Sequence, residues 1–420
     1  MTDFRNNHYV PRWYQERFLS SDGRERKFYY LDLRPDRVLW SGRVHYREAI
    51  RRLGTKNCFM QRDLYTTRFG GWRSVDIERQ FFGHIDRCGR QAVEYFANFR
   101  HPSVDHDAFR DMMLYLSLQK LRTPKGLAQL AEMVQLSDHN AVLQAMERLQ
   151  QIYCATWTEC VWSIADASRS SVRFILSDHP ITIYNHGCFP ESTYCRGHRD
   201  PDIRMTGSHT IFPLSPDKVL ILTNLSWVRN PYTNPLLLRP NPTFFRSTMF
   251  NFQAIQTERF LSETEVQEIN LVIKERAFRY VAAAEREWLF PEEALPHAKW
   301  DRLGGGYLLI PDPRGVDYTK GMMVGYGNER SEMWDEYGRR PGQPGFSGSS
   351  GPGEDWDTFR AFQGEFARVF GPRRRGRRSW VGCLEPEEDS PQLHASYLRQ
   401  EANKPRDSVA YRSSRRRRKR

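Results

Sequence analysis

Apolar side chains recur every three or four positions through residues 74–155, which is the spacing of amphipathic α-helices. This pattern predicts several consecutive helices, the last of them over residues 138–153. Further along, Ser262 and Glu265 have the spacing of a capping box, in which each side chain accepts a hydrogen bond from the other residue's backbone. They predict the start of a helix that runs to residue 285.

The apolar pattern between these helices is that of β-strands. Residues 156–224 contain five short runs rich in Val, Ile, Thr and aromatic residues, and turn residues separate them. We predict a mainly antiparallel sheet over this range, and an N-terminal hairpin between residues 28–33 and 38–40. The fold class is therefore α+β, with a helical bundle (about 74–155 and 262–285) packed on a sheet (about 156–224).

The composition changes near the C-terminus. Residues 341–353 are mostly Pro, Gly and Ser and carry no charge, which is typical of a flexible linker. Residues 354–370 place aromatic side chains at helical spacing and predict an amphipathic helix that docks on the preceding domain or binds a partner. Residues 371–420 predict a basic, mostly disordered tail. We therefore expect a single domain over residues 1–340, followed by this linker, helix and tail.

Charge is concentrated in the predicted tail. The chain of 420 residues has a formal net charge of +12, and two short runs at residues 372–378 and 415–420 carry five and six positive charges. The rest of the chain is close to balanced, so the basic excess belongs to the tail. The tail is either a solvated segment, or it binds phosphates or an acidic partner or serves as a nuclear-import patch. The residues predicted to contact nucleic acid are Arg373, Arg374, Arg375, Arg377, Arg378, Arg415, Arg416, Arg417, Arg418, Lys419 and Arg420.

Other sequence features narrow the compartment and the class of protein. Seven scattered cysteines are typical of reduced thiols and not of a disulfide framework. The first residues lack the apolar segment of a secretory signal, and no run approaches the roughly 18 apolar residues of a membrane span. We therefore expect a soluble, cytoplasmic protein without membrane contact, or a nuclear one if the source is eukaryotic. The P-loop, the dinucleotide-binding glycine pattern and the HExxH zinc motif do not occur.

Five short motifs along the chain carry a family resemblance. They are HYVPRWYQERF (8–18), QKLRTP (119–124), FILSDHP (174–180), FPLSP (212–216) and EINLVIKERAFRYVAAAE (268–285). In this order they resemble a microbial family known as domain of unknown function 4238, over about residues 7–290. The resemblance implies one domain over that span and no established activity. The hallmark residues that it implies are His8, Pro11, Gln119, Arg122, Pro124, Ser177, Asp178, Pro180, Pro213 and Pro216.

The FILSDHP motif has two interpretations that the sequence leaves open. In the structural one, Pro180 keeps His179 extended, and Ser177 and Asp178 bond nearby backbone N–H groups in a turn between two strands. In the functional one, Asp178 lies at a sheet edge and acts as a general base or orients a histidine.

His8, Gln119 and Arg122 are the other candidates for a site. His8 is either a tether at the start of the domain or an acid/base or metal-binding group with a pKa near neutrality. Gln119 and Arg122 share a helix face, where Arg122 either complements the helix dipole or binds a phosphate or carboxylate. If His8, Arg122 and Asp178 converge, they form a hydrolytic site, with Gln119 and Ser177 in support.

The segment at residues 185–200 contains four side chains of the types that ligate zinc. They are His186, Cys188, Cys195 and His198. Their spacing matches no zinc module, so we favour an incidental cluster and expect neither a metal nor another cofactor.

Two hypotheses for the function follow. The first is a hydrolase that acts on nucleic acid with His8, Arg122 and Asp178. The second is a non-catalytic binding or interaction module whose basic tail contacts nucleic acid or an acidic partner. They differ in whether these three side chains line one pocket.

Overall fold

The structure, a computed structural model, describes most of the chain up to residue 370. The described residues are 6–19, 26–40, 43–69, 72–74, 82–99, 105–135, 138–196, 199–239, 255–300, 303, 307–316, 321–326, 329–335, 339–344, 346 and 354–370. Most of the predicted linker and all of the predicted tail at 371–420 therefore lie outside the described residues.

Along the described chain, short strands prevail before residue 83, four long helices follow over residues 83–158, and strands interspersed with helices follow residue 158. The helices are α1 (Arg12–Gln15), α2 (Gly83–Ala97), α3 (His106–Arg122), α4 (Pro124–Val134), α5 (His139–Thr158), α6 (Leu225–Arg229), α7 (Glu263–Arg276), α8 (Pro291–Ala294) and α9 (Glu354–Phe370). The strands are β1 (Asn6–His8), β2 (Phe28–Asp32), β3 (Arg37–Trp40), β4 (Arg43–Tyr46), β5 (Ile50–Leu53), β6 (Met60–Arg62), β7 (Thr67–Phe69), β8 (Trp72–Ser74), β9 (Cys160–Asp166), β10 (Leu176–Ser177), β11 (Thr182–Tyr184), β12 (His209–Ser215), β13 (Lys218–Asn224), β14 (Gln256–Phe260), β15 (Tyr280–Ala283), β16 (Gly321–Gly325) and β17 (Ser331–Asp335). The predicted α+β class is confirmed.

The largest sheet has the strand order β11-β12-β13-β9-β14. Its strands pair antiparallel except for β14, which runs parallel to β9. Side chains alternate between its two faces, as expected for strands. Trp162, Phe212 and Leu222 belong to the main core, which they form with residues of the helices α2 to α5. Ala165 and Ile221 belong to a second core with α7. The sheet is therefore covered by helices on both faces.

A second sheet has the order β10-β15-β2-β5, and all its pairs are antiparallel. The predicted hairpin between residues 28–33 and 38–40 is wrong, because β2 lies between β15 and β5, and β3 pairs with β4 instead. Burial explains the difference. Phe28 and Tyr30 are buried in the main core, so β2 needs a neighbour on each side to satisfy its backbone.

Two helices end at positions that the periodicity did not predict. Helix α5 continues to Thr158, beyond the expected end at residue 153, because Trp157 on its last turn is fully buried in the main core. Helix α7 begins with the predicted capping box, in which Ser262 and Glu265 each accept the other's backbone N–H. It ends at Arg276, short of residue 285, because residues 280–283 form β15 in the interior of the second sheet.

Helix α9 packs against α6 and the turn at Pro313–Gly315. Phe359, Phe362 and Phe366 on one face of this helix are buried. The carboxylate of Glu365 accepts hydrogen bonds from two tyrosine hydroxyls outside this helix, those of Tyr232 and Tyr307.

Across the part of the chain that the structure describes, no helix combines the length and apolarity needed to span a membrane.

Candidate functional site

The segment Ser177–Ile181 carries the chain from one sheet to the other. Strand β10 ends at Ser177 in the second sheet, and β11 begins at Thr182 in the largest sheet. The three polar side chains of this crossover, Ser177, Asp178 and His179, are at most 1 % exposed. The crossover is therefore an interior feature, and each of its polar atoms needs a partner within the protein.

Asp178 binds the backbone that follows α7. Its Oδ1 accepts the N–H of Phe278 at 2.8 Å, and its Oδ2 accepts those of Arg279 and Tyr280 at 2.7 and 2.8 Å. Burial raises the pKa of Asp178 to about 6, although these three bonds and the nearby charge of Lys125 act in the opposite direction. The carboxylate thus holds the turn between α7 and β15.

His179 points to the helices and joins the FILSDHP motif to the QKLRTP motif. Its Nδ1 lies 2.6 Å from the hydroxyl of Thr123, and its Nε2 lies 2.9 Å from Asp200 and 2.7 Å from Lys120 Nζ. With the ring proton on Nε2, the imidazole donates to Asp200 and accepts from Thr123, and Lys120 Nζ then lies beside Nε2 without a hydrogen bond to it. Thr123 in turn accepts the N–H of Gly126 and so caps α4.

Asp200 forms ion pairs with two lysines inside the protein. It pairs with Lys120 and with Lys125, the latter at 2.6 Å, and its side chain is 1 % exposed. Each lysine also donates to a carbonyl oxygen, Lys120 to that of Ile181 at 3.1 Å and Lys125 to that of Arg276 at 2.7 Å. We call Lys120, Thr123, Lys125, His179 and Asp200 the buried charge cluster.

Burial and mutual attraction set the charges of this cluster. Burial lowers the pKa of Lys120 to about 8, against the attraction of Asp200. Burial and the charge of Lys120 lower the pKa of His179 to about 3, so the imidazole is neutral at pH 7. Burial opposes ionisation of Asp200, but Lys120 and Lys125 hold its pKa well below the usual range. The cluster therefore contains one carboxylate between two ammonium groups.

Gln119 and Arg122 lie together, as their spacing predicts, and tie α3 to other elements. The guanidinium of Arg122 donates to Asp86 of α2 at 2.7 and 3.1 Å and to Gln119 Oε1 at 2.8 Å through Nε. Gln119 Nε2 donates to the carbonyl of Tyr9 at 2.9 Å. Arg122 is 1 % exposed, and although burial opposes its charge, Asp86 raises its pKa.

His8 lies on β1 and has a different neighbourhood. Its Nε2 is 3.1 Å from the carbonyl of Lys56, and partial burial lowers its pKa from the usual value. Among the described residues, no hydrogen bond or ion pair joins His8, Arg122 and Asp178 to one another. A catalytic set made of these three residues stays a prediction.

The zinc candidates divide into a thiol pair and a histidine that packs on another residue. Cys188 and Cys195 are buried, and the thiol of Cys195 donates to the carbonyl of Cys188 at 3.6 Å. The interaction between the two thiols lowers the pKa of Cys195 and raises that of Cys188. His186 packs on Trp227 instead, and His198 lies outside the described residues. No group of three His, Cys, Asp or Glu side chains within the described ranges is arranged to bind a metal.

Sequence reasoning missed the buried charge cluster. Two of the family motifs contain three of its members, Lys120, Thr123 and His179. Polar residues next to apolar ones inside these motifs were the signal in the sequence that could have indicated a buried polar cluster. Asp200 lies outside these motifs, at the end of the segment that contains the zinc candidates, and no pattern in the sequence indicated its role.

Comparison with known proteins agrees with the motifs. The family model described as "Protein of unknown function (DUF4238)" matches residues 6–287. The chain belongs to this family. All five motifs of this DUF4238 protein fall inside the matched range, so the resemblance is confirmed. No curated protein and no solved structure matches the chain.

We expect Asp178→Asn to lower the free energy of unfolding by about 2–4 kcal/mol, because an amide nitrogen would face backbone N–H donors that need an acceptor. Urea unfolding at pH 7 measures the change. The control is Asp217→Asn, since Asp217 is 49 % exposed and pairs with Arg173 at the surface. That pair should be worth about 0–1 kcal/mol. Equal effects of the two substitutions would contradict the structural role of Asp178.

The low pKa of His179 makes a prediction about acid stability. Its value is about 3 in the folded protein and near 6.5 when unfolded, so the unfolded state binds more protons in this window. Stability is therefore lost as the pH falls from about 6.5, at up to about 1.4 kcal/mol per pH unit for this histidine. His179→Gln should flatten the profile between about pH 6.5 and 4.5 by that amount.

Urea unfolding across this pH range measures the slope. The exposed His139 gives the control His139→Gln, which should keep the wild-type slope. Asp178 contributes with the opposite sign, since its folded pKa is raised, but it does so in both proteins and cancels in the comparison. An unchanged slope in His179→Gln would show that the neutral imidazole is not part of the acid response.

Proposed function

We propose that this DUF4238 protein is a non-catalytic binding module. One observation carries the proposal: both oxygens of Asp178 accept backbone N–H groups, three in all, inside the protein. A general base needs a lone pair that can reach a proton of the substrate. A carboxylate that is 1 % exposed and bonded in this way supports a role in holding the fold.

The other hallmark residues support the same proposal. The guanidinium of Arg122 donates hydrogen bonds to Asp86 and Gln119, and the amide of Gln119 donates to the carbonyl of Tyr9. An arginine that clamps a phosphate needs its two-pronged donor edge open to the ligand. Gln119 and Arg122 therefore connect α3 to α2 and to the N-terminal segment through hydrogen bonds within the protein.

The partner that we propose is nucleic acid or another polyanion, bound by the two basic runs at residues 372–378 and 415–420. Eleven positive charges in two short runs neutralise phosphates and release their counterions, and this favours binding without base recognition. The proposal for the partner rests on the charge of the sequence, since these runs lie outside the described residues.

Replacing the eleven Arg and Lys residues of the two runs by Gln in the full-length chain tests this partner. We expect the affinity for a short fluorescent single-stranded DNA to fall by roughly tenfold or more, with a flatter dependence on salt. Fluorescence anisotropy at several salt concentrations measures both. The melting temperatures of the two proteins show whether the replacement leaves the fold intact. Undiminished binding would overturn the role of the basic runs.

A hydrolase that uses His8, Arg122 and Asp178 is the second candidate. The observation that favours it is the raised pKa of Asp178, about 6, which is close to the value that a general base needs near neutral pH. His8 adds an imidazole that is only partly buried. This candidate requires the domain to open, because Asp178 is inaccessible in the described conformation.

Hydrolysis of RNA and of a chromogenic phosphodiester separates the two candidates. The binding module predicts no turnover above buffer for the wild-type protein. The hydrolase predicts turnover that drops by about 100-fold or more in His8→Gln, since a general acid or base contributes about that much. His139→Gln serves as the control at an exposed histidine. Turnover that His8→Gln removes would refute the non-catalytic proposal.

A further inference from the structure

A cleft of about 530 Å³ lies beside the edge strand β5, far along the chain from the basic runs. Three arginines line it, Arg51 and Arg52 from β5 and Arg286 from the segment after β15. Its walls are completed by Tyr29, Glu48, Ala49 and Ile50. This volume is within the range of small-ligand sites.

Aromatic rings orient two of these guanidinium groups. Arg52 lies across from Tyr29 in the strand register, and its Cζ is 5.0 Å from the centre of the Tyr29 ring. Arg286 Cζ lies 5.9 Å from the ring centre of Phe290. A cation–π contact of this kind favours one position of the guanidinium and uses none of its N–H donors, which stay available to a ligand.

These arginines differ from the other arginines near the second sheet. Arg279 is bonded to Asp32 and Asp36, and Arg47 pairs with Asp36. Within the described ranges, no hydrogen-bonded ion pair joins a carboxylate to the three arginines of the cleft. The charge of Arg51 does act on the pKa of Asp32, but without a direct bond.

The surface separates positive from negative charge at this point of the chain. Glu285 and Glu287 line a different cleft together with Glu263, whereas Arg286 between them lines the cleft beside β5. Glu48 is the one carboxylate among the residues that line the arginine cleft, against three arginines. Arg51 and Arg52 are consecutive in β5, so their side chains leave the strand on opposite faces, and Arg52 shares the face of Tyr29. The electrostatic potential there attracts anions.

We propose that the arginine cleft binds a phosphate group, carried by a nucleotide or by a nucleic-acid strand. Guanidinium groups match the geometry of phosphate oxygens and form charge-assisted hydrogen bonds with them. The Tyr29 ring and Ile50 offer an apolar surface for the base or sugar next to the phosphate. This site is independent of the basic runs, so the failure of either proposal leaves the other intact.

The test compares two full-length triple variants with the same change of charge. One replaces the arginines of the cleft, Arg51→Gln, Arg52→Gln and Arg286→Gln. The matched control replaces three exposed arginines elsewhere, Arg62→Gln, Arg87→Gln and Arg90→Gln. Equal melting temperatures would establish that both variants are folded, and both retain the basic runs.

Calorimetry with inorganic phosphate and ADP, and anisotropy with a short single-stranded DNA, measure binding. We expect the cleft variant to bind at least one probe about tenfold more weakly than the control, because it lacks the charged donors that would bond the phosphate oxygens. Loss of ADP binding alone identifies a nucleotide. Loss of DNA binding, with a salt slope smaller by about 2, identifies the phosphates of a strand. Equal affinities of the two variants for every probe, or no binding by the wild-type chain, would overturn the proposal.

Discussion

One buried carboxylate between two lysines is the interaction on which the domain depends. Asp200 receives Lys120 from the end of α3, Lys125 from the start of α4 and the imidazole of His179 from the crossover between the sheets. Charges in the interior are tolerated only when partners compensate for lost hydration. Each buried charge is therefore compensated only when α3, α4, the crossover and the loop that carries Asp200 are all in their folded positions. The cluster thus holds these four segments together.

The neighbouring residues Asp178 and His179 extend that constraint in two directions. Asp178 binds the backbone N–H groups between α7 and β15, and His179 bonds to Thr123 at the start of α4. A single dipeptide thus connects the second sheet with α7 on one side and with the helical bundle on the other. This connection gives the polar side chains of Asp178, His179, Thr123 and Lys120 partners within the protein.

Charged groups in this protein fall into two kinds with different consequences for function. Those of the hallmark residues are buried and compensated, so they stabilise one arrangement of the chain. Arg51, Arg52 and Arg286 are exposed, and the described structure gives them no bonded carboxylate. Binding of an anion requires donors of the second kind, because a ligand competes only for groups that the protein has not already satisfied.

The periodicity of the sequence was enough to predict most helices, the α+β class and four strands of the largest sheet, namely β9, β11, β12 and β13, whereas β14 was not predicted. It also located the capping box of α7 and the motifs of the family, because these features depend on residues close together in the chain. Periodicity states which face of an element is buried, but not against which partner. Only the tertiary structure decided that β2 lies between β15 and β5, that α7 ends where β15 begins, and that the crossover joins two sheets. The pairing of Asp200 with Lys120, 80 positions earlier, was likewise invisible, since the electrostatic attraction depends on distance in space.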